Sequence, residues 1–222
     1  MCGRYSLIAE VQALAAHFQV SVSQDFQPRY SIAPSQDIPV IRQCGTKREL
    51  TSLHWGLIPF WAKGEKPAYQ TINARAETIA VKPTFRSAFR RRRCLIPATG
   101  FYEWKPTQGG KQPYHIQVAN SDLFAFAGLW EHWESEEGKV VESCAIIVTE
   151  ANERLHPIHD RMPVILDSAD HATWLDPRLH DPNVLIPLLQ PYPAEQITLY
   201  PVSHRVNNPR HDDPECIRAL ET

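Results

Sequence analysis

The chain opens with the residues MCGRY, and the two reactive groups of Cys2 pose the first chemical question. Cysteine in second position is small enough for an aminopeptidase to remove Met1. A freed Cys2 carries an α-amine and a thiol on adjacent carbons, titrating near ~8 and ~8.5. Such an amine attacks an aldehyde to give an imine, and the thiol closes onto the same carbon as a thiazolidine. The same pair fits an N-terminal nucleophile hydrolase, where the thiol attacks a carbonyl and the amine serves as base. A small second residue that merely ends in solvent is the plainer alternative. Gly3 permits close backbone approach, and Arg4 sets a cation beside the amine.

Three further stretches carry titratable or hydrogen-bonding groups at useful spacing. TINARAE, residues 71–77, places Asn73, Arg75 and Glu77 on alternate positions, so an extended backbone turns all three to one side. That pattern describes a solvated strand face. It also describes an Asn73 that orients a reacting group beside an Arg75 that grips a phosphate or carboxylate through its planar fork. GFYEWKP sets Glu103 among Phe101, Tyr102 and Trp104. Such a carboxylate is either an edge-strand charge or a partly desolvated acid of raised pKa, the state general acid–base chemistry uses. LHPIHDRMPVIL brings His156, His159, Asp160 and Arg161 to the start of a strand. Pro157 between the two histidines and the lack of a third ligand argue against zinc, leaving a titratable imidazole at a strand mouth.

FRRRRC is the single basic run, with Arg90 to Arg93 fanning around a helix as a solvated face or, if Arg4 and Arg75 converge on it, as a phosphate grip. WGLIPFW offers Trp55, Phe60 and Trp61 around a proline turn, either for the core or for stacking single-stranded bases. VSHRVNNPRHDDPECI, residues 202–217, reads as a structured loop whose side chains bond the backbone, with no chemistry assigned.

The elements that must position these groups follow from patterning. Ser6 to Val20 shows helical spacing through Leu7, Val11, Leu14, Ala15 and Phe18, with Ser6 as N-cap. Residues 83–93 predict a second helix with Phe85 and Phe89 on one face. RCLIPA, GFYEWKP, PYHIQV, LFAFAGLWEHW and VVESCAIIVTE predict strands, with hairpin turns at QGGK and EEGK. DRMPVIL and ITLYPVS are two more strands, and the short capped helices SADHATWL and DPNVLIPLL lie between them. The fold class expected is α+β, one domain over residues 1–222, with a largely antiparallel, barrel-like β core and a few peripheral helices. The length of 222 residues allows a sizeable core, and 19 prolines against 9 glycines fit short elements joined by defined turns.

A net charge of −2 gives no global field toward nucleic acid or anionic lipid, so any polyanion must meet a local patch. Five cysteines without a CxxC pair or a signal peptide point away from a disulfide framework and toward a reducing cytosol. Cys94 and Cys144 lie inside apolar runs as small core residues. No apolar run reaches membrane-spanning length, and no cofactor or metal is expected.

Taken in order, MCGR, RYSIAP, WGLIPFWAK, TINARAET, GFYEW, HDRMP and VSHRVNN resemble the SOS-response-associated peptidase (SRAP) family over nearly the whole chain. The resemblance implies a protein that recognises abasic sites in single-stranded DNA and forms a thiazolidine cross-link through a processed Cys2. By motif it makes Asn73 the residue that positions the sugar and Glu103 with His159 the acid–base pair. Arg4 and Arg75 become phosphate contacts, and Trp61 the aromatic that abuts the DNA. It implies a replication-fork context, a cytoplasmic or nucleoid location, no membrane association, and a monomer. Two other activities remain open: an N-terminal cysteine peptidase that trims its own Met1 or other peptides, and a non-covalent reader of modified cytosine. Family members commonly carry Asn where this chain has Ser31, so one polar contact near the DNA or a loop is expected to be replaced by a shorter hydroxyl.

Overall fold

The structure, a computed structural model, describes residues 2–22, 24–64 and 71–220. Met1, and with it any self-removal of that residue, lies outside the described residues. The first half of the chain gives β1 (Tyr5–Leu7), α1 (Val11–Phe18), β2 (Ser21–Val22), β3 (Arg29–Ile32), β4 (Asp37–Cys44), β5 (Lys47–Trp55) and β6 (Asn73–Arg75). Then come α2 (Arg86–Arg91), β7 (Arg93–Ala98), β8 (Gly100–Thr107), β9 (Gly110–Val118), β10 (Phe124–Glu134) and β11 (Val140–Glu150). The chain finishes with β12 (Arg161–Pro163), β13 (Ile165–Leu166), α3 (His171–Leu175), α4 (Pro182–Leu185) and β14 (Ile197–Pro201).

The strands form an α+β fold with a closed barrel at its centre. β11, β10, β7, β4 and β5 pair antiparallel in succession, and a parallel contact of Ser143–Cys144 with His54–Trp55 joins the last strand to the first. A second sheet in the order β14-β9-β8-β1-β3 packs against it. Edge-to-face aromatic pairs bridge the two layers: Tyr5 meets Trp55 at 5.5 Å and Phe126 at 5.9 Å, and Phe101 meets Phe126 at 5.9 Å. Cys94 and Cys144 are buried in the barrel wall as thiols. The helices stay peripheral. Phe85 and Phe89 turn inward as their i, i+4 spacing requires, and Asp181 caps α4 by accepting from the Asn183 N–H. No helix among the described residues is long and apolar enough to cross a membrane.

One expected element is corrected. The helix predicted from Ser6 to Val20 begins only at Val11, and Ser6 is a strand residue rather than a cap. Tyr5–Leu7 has backbone partners on both sides, β3 and β8, and these outweigh the helical spacing of its apolar residues. The Ser6 hydroxyl meets Thr99 Oγ1 at 3.2 Å and His115 Nε2 at 3.0 Å, and His115 Nδ1 meets the Tyr200 hydroxyl at 3.0 Å. Gly100 makes room for this crossing, since a Cβ there would sit 2.3 Å from His115 Nε2.

His115 is wholly buried, and desolvation pulls its pKa down from 6.5 to about 4. The unfolded chain therefore takes up this proton first as pH falls. Its stabilising effect is complete above pH 6.5 and is lost on descending to pH 4, a change of about 3 kcal/mol. Urea unfolding at pH 7 and pH 4.5 reads this directly, and His115→Gln is expected to flatten the difference.

Candidate active site

The parallel and antiparallel neighbours of β11 decide where the polar motifs meet. On one side β6 runs parallel, with Asn73 opposite Ile146 and Arg75 opposite Val148. On the other side β12 runs antiparallel, with Pro163 opposite Val148 and Arg161 opposite Glu150. The NAR and RMP stretches thus flank the same end of one strand, and Arg161 pairs across with Glu77. Glu77 leaves the face shared by Asn73 and Arg75 because the backbone tightens into a 3₁₀ turn over Ala76–Thr78.

Cys2 reaches this place through β1. The register Tyr5↔Phe101, followed by the Tyr102 N–H donating to the Arg4 carbonyl at 3.0 Å, carries the N-terminal segment along β8 toward Glu103. Cys2 is buried, and the Asn73 side-chain amide donates to its carbonyl at 2.9 Å. Asn73 Oδ1 is buried and meets no hydrogen-bond donor among the described residues. Burial, then the charge of Glu103, pushes the Cys2 thiol well above its ordinary range, so it is held as the neutral thiol.

Glu103 is only 2% exposed. Its carboxyl is pushed up to about 7, chiefly by desolvation and further by Asp160, while the Trp104 N–H and Lys111 pull the other way. A carboxyl raised this far toward neutrality is placed to both give and take a proton. His159 is half-buried, which lowers its pKa against the opposing pull of Asp160. Its Nδ1 accepts from the Arg161 N–H at 3.0 Å and lies 3.0 Å from Asp160 Oδ1. One nitrogen cannot serve both partners at once. The neutral ring fits the N–H bond, and the protonated ring fits the carboxylate, so the imidazole has a partner in either state.

Arg4 is placed inward. It is 8% exposed, donating through Nη1 to Ser31 Oγ at 2.9 Å and to the Val206 carbonyl at 2.6 Å. Ser31 thus has a polar partner in the Arg4 guanidinium. Asp212 holds the neighbouring backbone by accepting from the Tyr30 and Ser31 N–H groups at 2.6 and 2.9 Å. Asn207 accepts from the Trp104 indole at 2.7 Å. The polar loop over residues 202–217 is therefore the clamp for the start of the chain, a role sequence reasoning missed. Its density of Asn, His and Asp was the available signal. Arg75 is exposed and makes no ion pair among the described residues, and Trp61 is 54% exposed. Trp55, from the same aromatic stretch, is fully buried. Among the described residues no group of three His, Cys, Asp or Glu side chains is arranged to hold a metal.

A closed barrel backed by a second sheet, with Cys2 drawn in beside Asn73 and Glu103, agrees with the match of residues 1–209 to the family model described as SOS response associated peptidase (SRAP). The chain belongs to that family. It is 45% identical over 223 residues to the abasic site processing protein YoqW of Bacillus subtilis (strain 168), covering 99% of this chain and 100% of the other. The abasic site processing protein HMCES of Xenopus tropicalis is 33% identical over 229 residues, covering 89% of this chain and 68% of that protein. A crystal structure of a protein from Bacteroides thetaiotaomicron has a TM-score of 0.89 at 29% identity, covering 99% of this chain and all of that one.

Proposed function

We propose that this protein captures abasic sites in single-stranded DNA as a covalent thiazolidine formed on Cys2 once Met1 has been removed. The observation that carries the reading is the meeting of Cys2 with a buried carboxyl of pKa about 7. The relatives' names, which specify abasic sites, supply the substrate class.

The ring-opened abasic sugar presents an aldehyde at C1′, and no base has to be unstacked from it. Asn73 anchors the Cys2 carbonyl through its amide, and its unpartnered buried Oδ1 suits a sugar hydroxyl as donor. The free amine adds to C1′, giving a carbinolamine. Protonated Glu103 donates to the departing hydroxyl, water leaves, and an iminium forms. The Cys2 sulfur then bonds to C1′, its proton passing to the Glu103 carboxylate, and the iminium π electrons return to nitrogen. The neutral state of the thiol supports this order, with the amine acting first. Arg75 and Trp61 contact the flanking DNA, and Arg4 acts by positioning, holding the first strand through Ser31 and Val206.

His159 serves the reverse reaction, because reopening the ring needs a proton on sulfur or nitrogen. His159→Ala is expected to slow release of cross-linked DNA by about 10²-fold and formation by less. Exchange of pre-formed adduct against excess competitor oligonucleotide measures release, and equal release rates in the two proteins would remove this role. The function itself is tested by mixing Met1-free protein, verified by intact mass, with an oligonucleotide bearing an abasic site. A heat-resistant product of protein plus DNA minus one water supports the proposal. Peptide cleavage without such a product supports the hydrolase.

A further inference from the structure

The barrel closes on a narrow seam, where only Ser143–Cys144 of β11 and His54–Trp55 of β5 pair in parallel. The Gly56 N–H donates to the Cys144 carbonyl at 3.0 Å, and the Ile146 N–H donates to the Ile72 carbonyl at 3.0 Å. Even-numbered residues of β11 therefore turn their main-chain groups away from β10. By the alternation of an antiparallel ladder, Val140 and Glu142 do the same. Neither has a strand partner on that side among the described residues. The facing strand is open at the same level. β5 pairs with β2 at Glu49–Leu50 and with β11 from His54 onward, which leaves Ser52 between the two. The Trp55 N–H donates to the Gln36 carbonyl, so Ser52, three residues earlier, turns its main chain to the seam. A groove of about 680 Å³ runs here, with Ser52 and His54 on one wall and Val140, Val141 and Glu142 on the other. None of its described lining residues is Lys or Arg. Glu142 is shared between Arg42 at 2.8 Å and His132 at 3.7 Å, whereas Asp37, also in the lining, has a side chain 74% exposed and pairs with the His54 ring at 3.4 Å. The turn leading into β11 adds exposed Glu134, Glu136 and Glu137 against one cation, Lys139.

We propose that the Val140–Glu142 edge takes up an extended, cationic peptide segment of a partner protein as an added strand. An edge with unpaired N–H and C=O groups is a template for such pairing. Main-chain bonds supply the affinity, and the side chains along the groove select the peptide. Val140, 50% exposed, and Val141 suit β-branched side chains on the incoming strand. Asp37 and the glutamates of the turn suit lysine or arginine beside them, by complementarity of charge. The Cys2 site lies elsewhere on the same strand. Asn73 and Pro163 flank β11 near Ile146 and Val148, and Val148 is about 20 Å along the strand from Glu142. A peptide held at this edge leaves that end of β11 open, and the inference depends on no step at Cys2.

The probe is a dansyl-labelled peptide of sequence KVTVKV, titrated into the full chain and followed by fluorescence anisotropy. Saturable binding that weakens with added salt is expected. The same peptide N-methylated at alternate residues keeps its charge and side chains but loses main-chain donors. It is expected to bind about tenfold more weakly or worse, as is the acidic peptide EVTVEV. Val140→Pro removes the N–H that faces the groove and leaves the bonds to β10 in place, so it too is expected to cost about tenfold. Asp37→Asn is expected to weaken binding about threefold and to flatten the salt dependence. Melting temperatures confirm that each variant is folded. In the parent, bound peptide should slow amide exchange at Val140 and Glu142 by about tenfold or more, and leave Tyr5 unchanged. Absence of saturable binding, or equal binding of the N-methylated peptide, would overturn the proposal. So would equal affinity for EVTVEV. A dimer in sedimentation that Val140→Pro dissolves would assign the edge to a second copy of this chain and would also overturn it.

Discussion

Cys2→Ala, stripped of Met1, is expected to lose the heat-stable adduct while still yielding a product that borohydride traps. The alanine keeps the amine, so the iminium at C1′ forms as before. Without sulfur there is no ring, and the iminium continues to withdraw electrons from C2′. Loss of a C2′ proton then expels the 3′ phosphate and nicks the strand. In the parent, sulfur and amine sit on one residue, and such intramolecular closure is favoured by roughly 7–11 kcal/mol over an untethered encounter. Denaturing electrophoresis with and without borohydride separates the outcomes. Neither a trapped adduct nor a nicked strand from the alanine variant would show that the amine is not the nucleophile.

Glu103→Gln addresses the other half of the chemistry and has a signature that loss of packing would not mimic. The amide fills the same space but cannot transfer a proton, so capture is expected to slow by about 10² to 10⁴-fold. The parent's capture rate should show a titration near pH 7, the value to which burial has raised this carboxyl, and the variant's should not. Stability moves in the opposite sense. A carboxyl raised from 4.5 to about 7 on folding holds its proton more tightly in the folded state, so its stabilising effect is present below pH 4.5 and fades as pH rises through 7. Relative to the parent, the glutamine variant should therefore gain stability between pH 4.5 and 7, by up to about 3 kcal/mol. An unchanged difference across that window would mean that Glu103 titrates normally in the folded protein.

The strands and the amphipathic helix α2 were legible because their apolar residues repeat at the strand or helix period. Tyr5–Leu7 was not, because its alternation is short and the partners that hold it, Ile32 and Phe101, are distant in sequence. Each polar group of the candidate site stood out through local context, as with Glu103 among aromatics. Their convergence did not, since it depends on β6 and β12 flanking one end of β11, a pairing no local pattern encodes. The clamp over residues 202–217 was visible only as polarity. What it holds, the guanidinium of Arg4 at Val206, spans some 200 positions of chain. The arginine run shows the same limit, because only the fold separates the buried Arg93 from the exposed Arg90 and Arg91.

β1 lies between β3 and β8, an inner strand with neighbours on both sides. Chain ends ordinarily fray, and a reactive group on a fraying end samples many orientations. Here β1, which begins three residues after Cys2, cannot peel away without breaking pairing on both of its sides, and Cys2 itself is held by the Asn73 amide. Amide protons at Tyr5 and Phe101 should accordingly exchange with solvent among the slowest in the protein. The anchor point from which Cys2 reaches its neighbours is thereby as durable as the sheet itself.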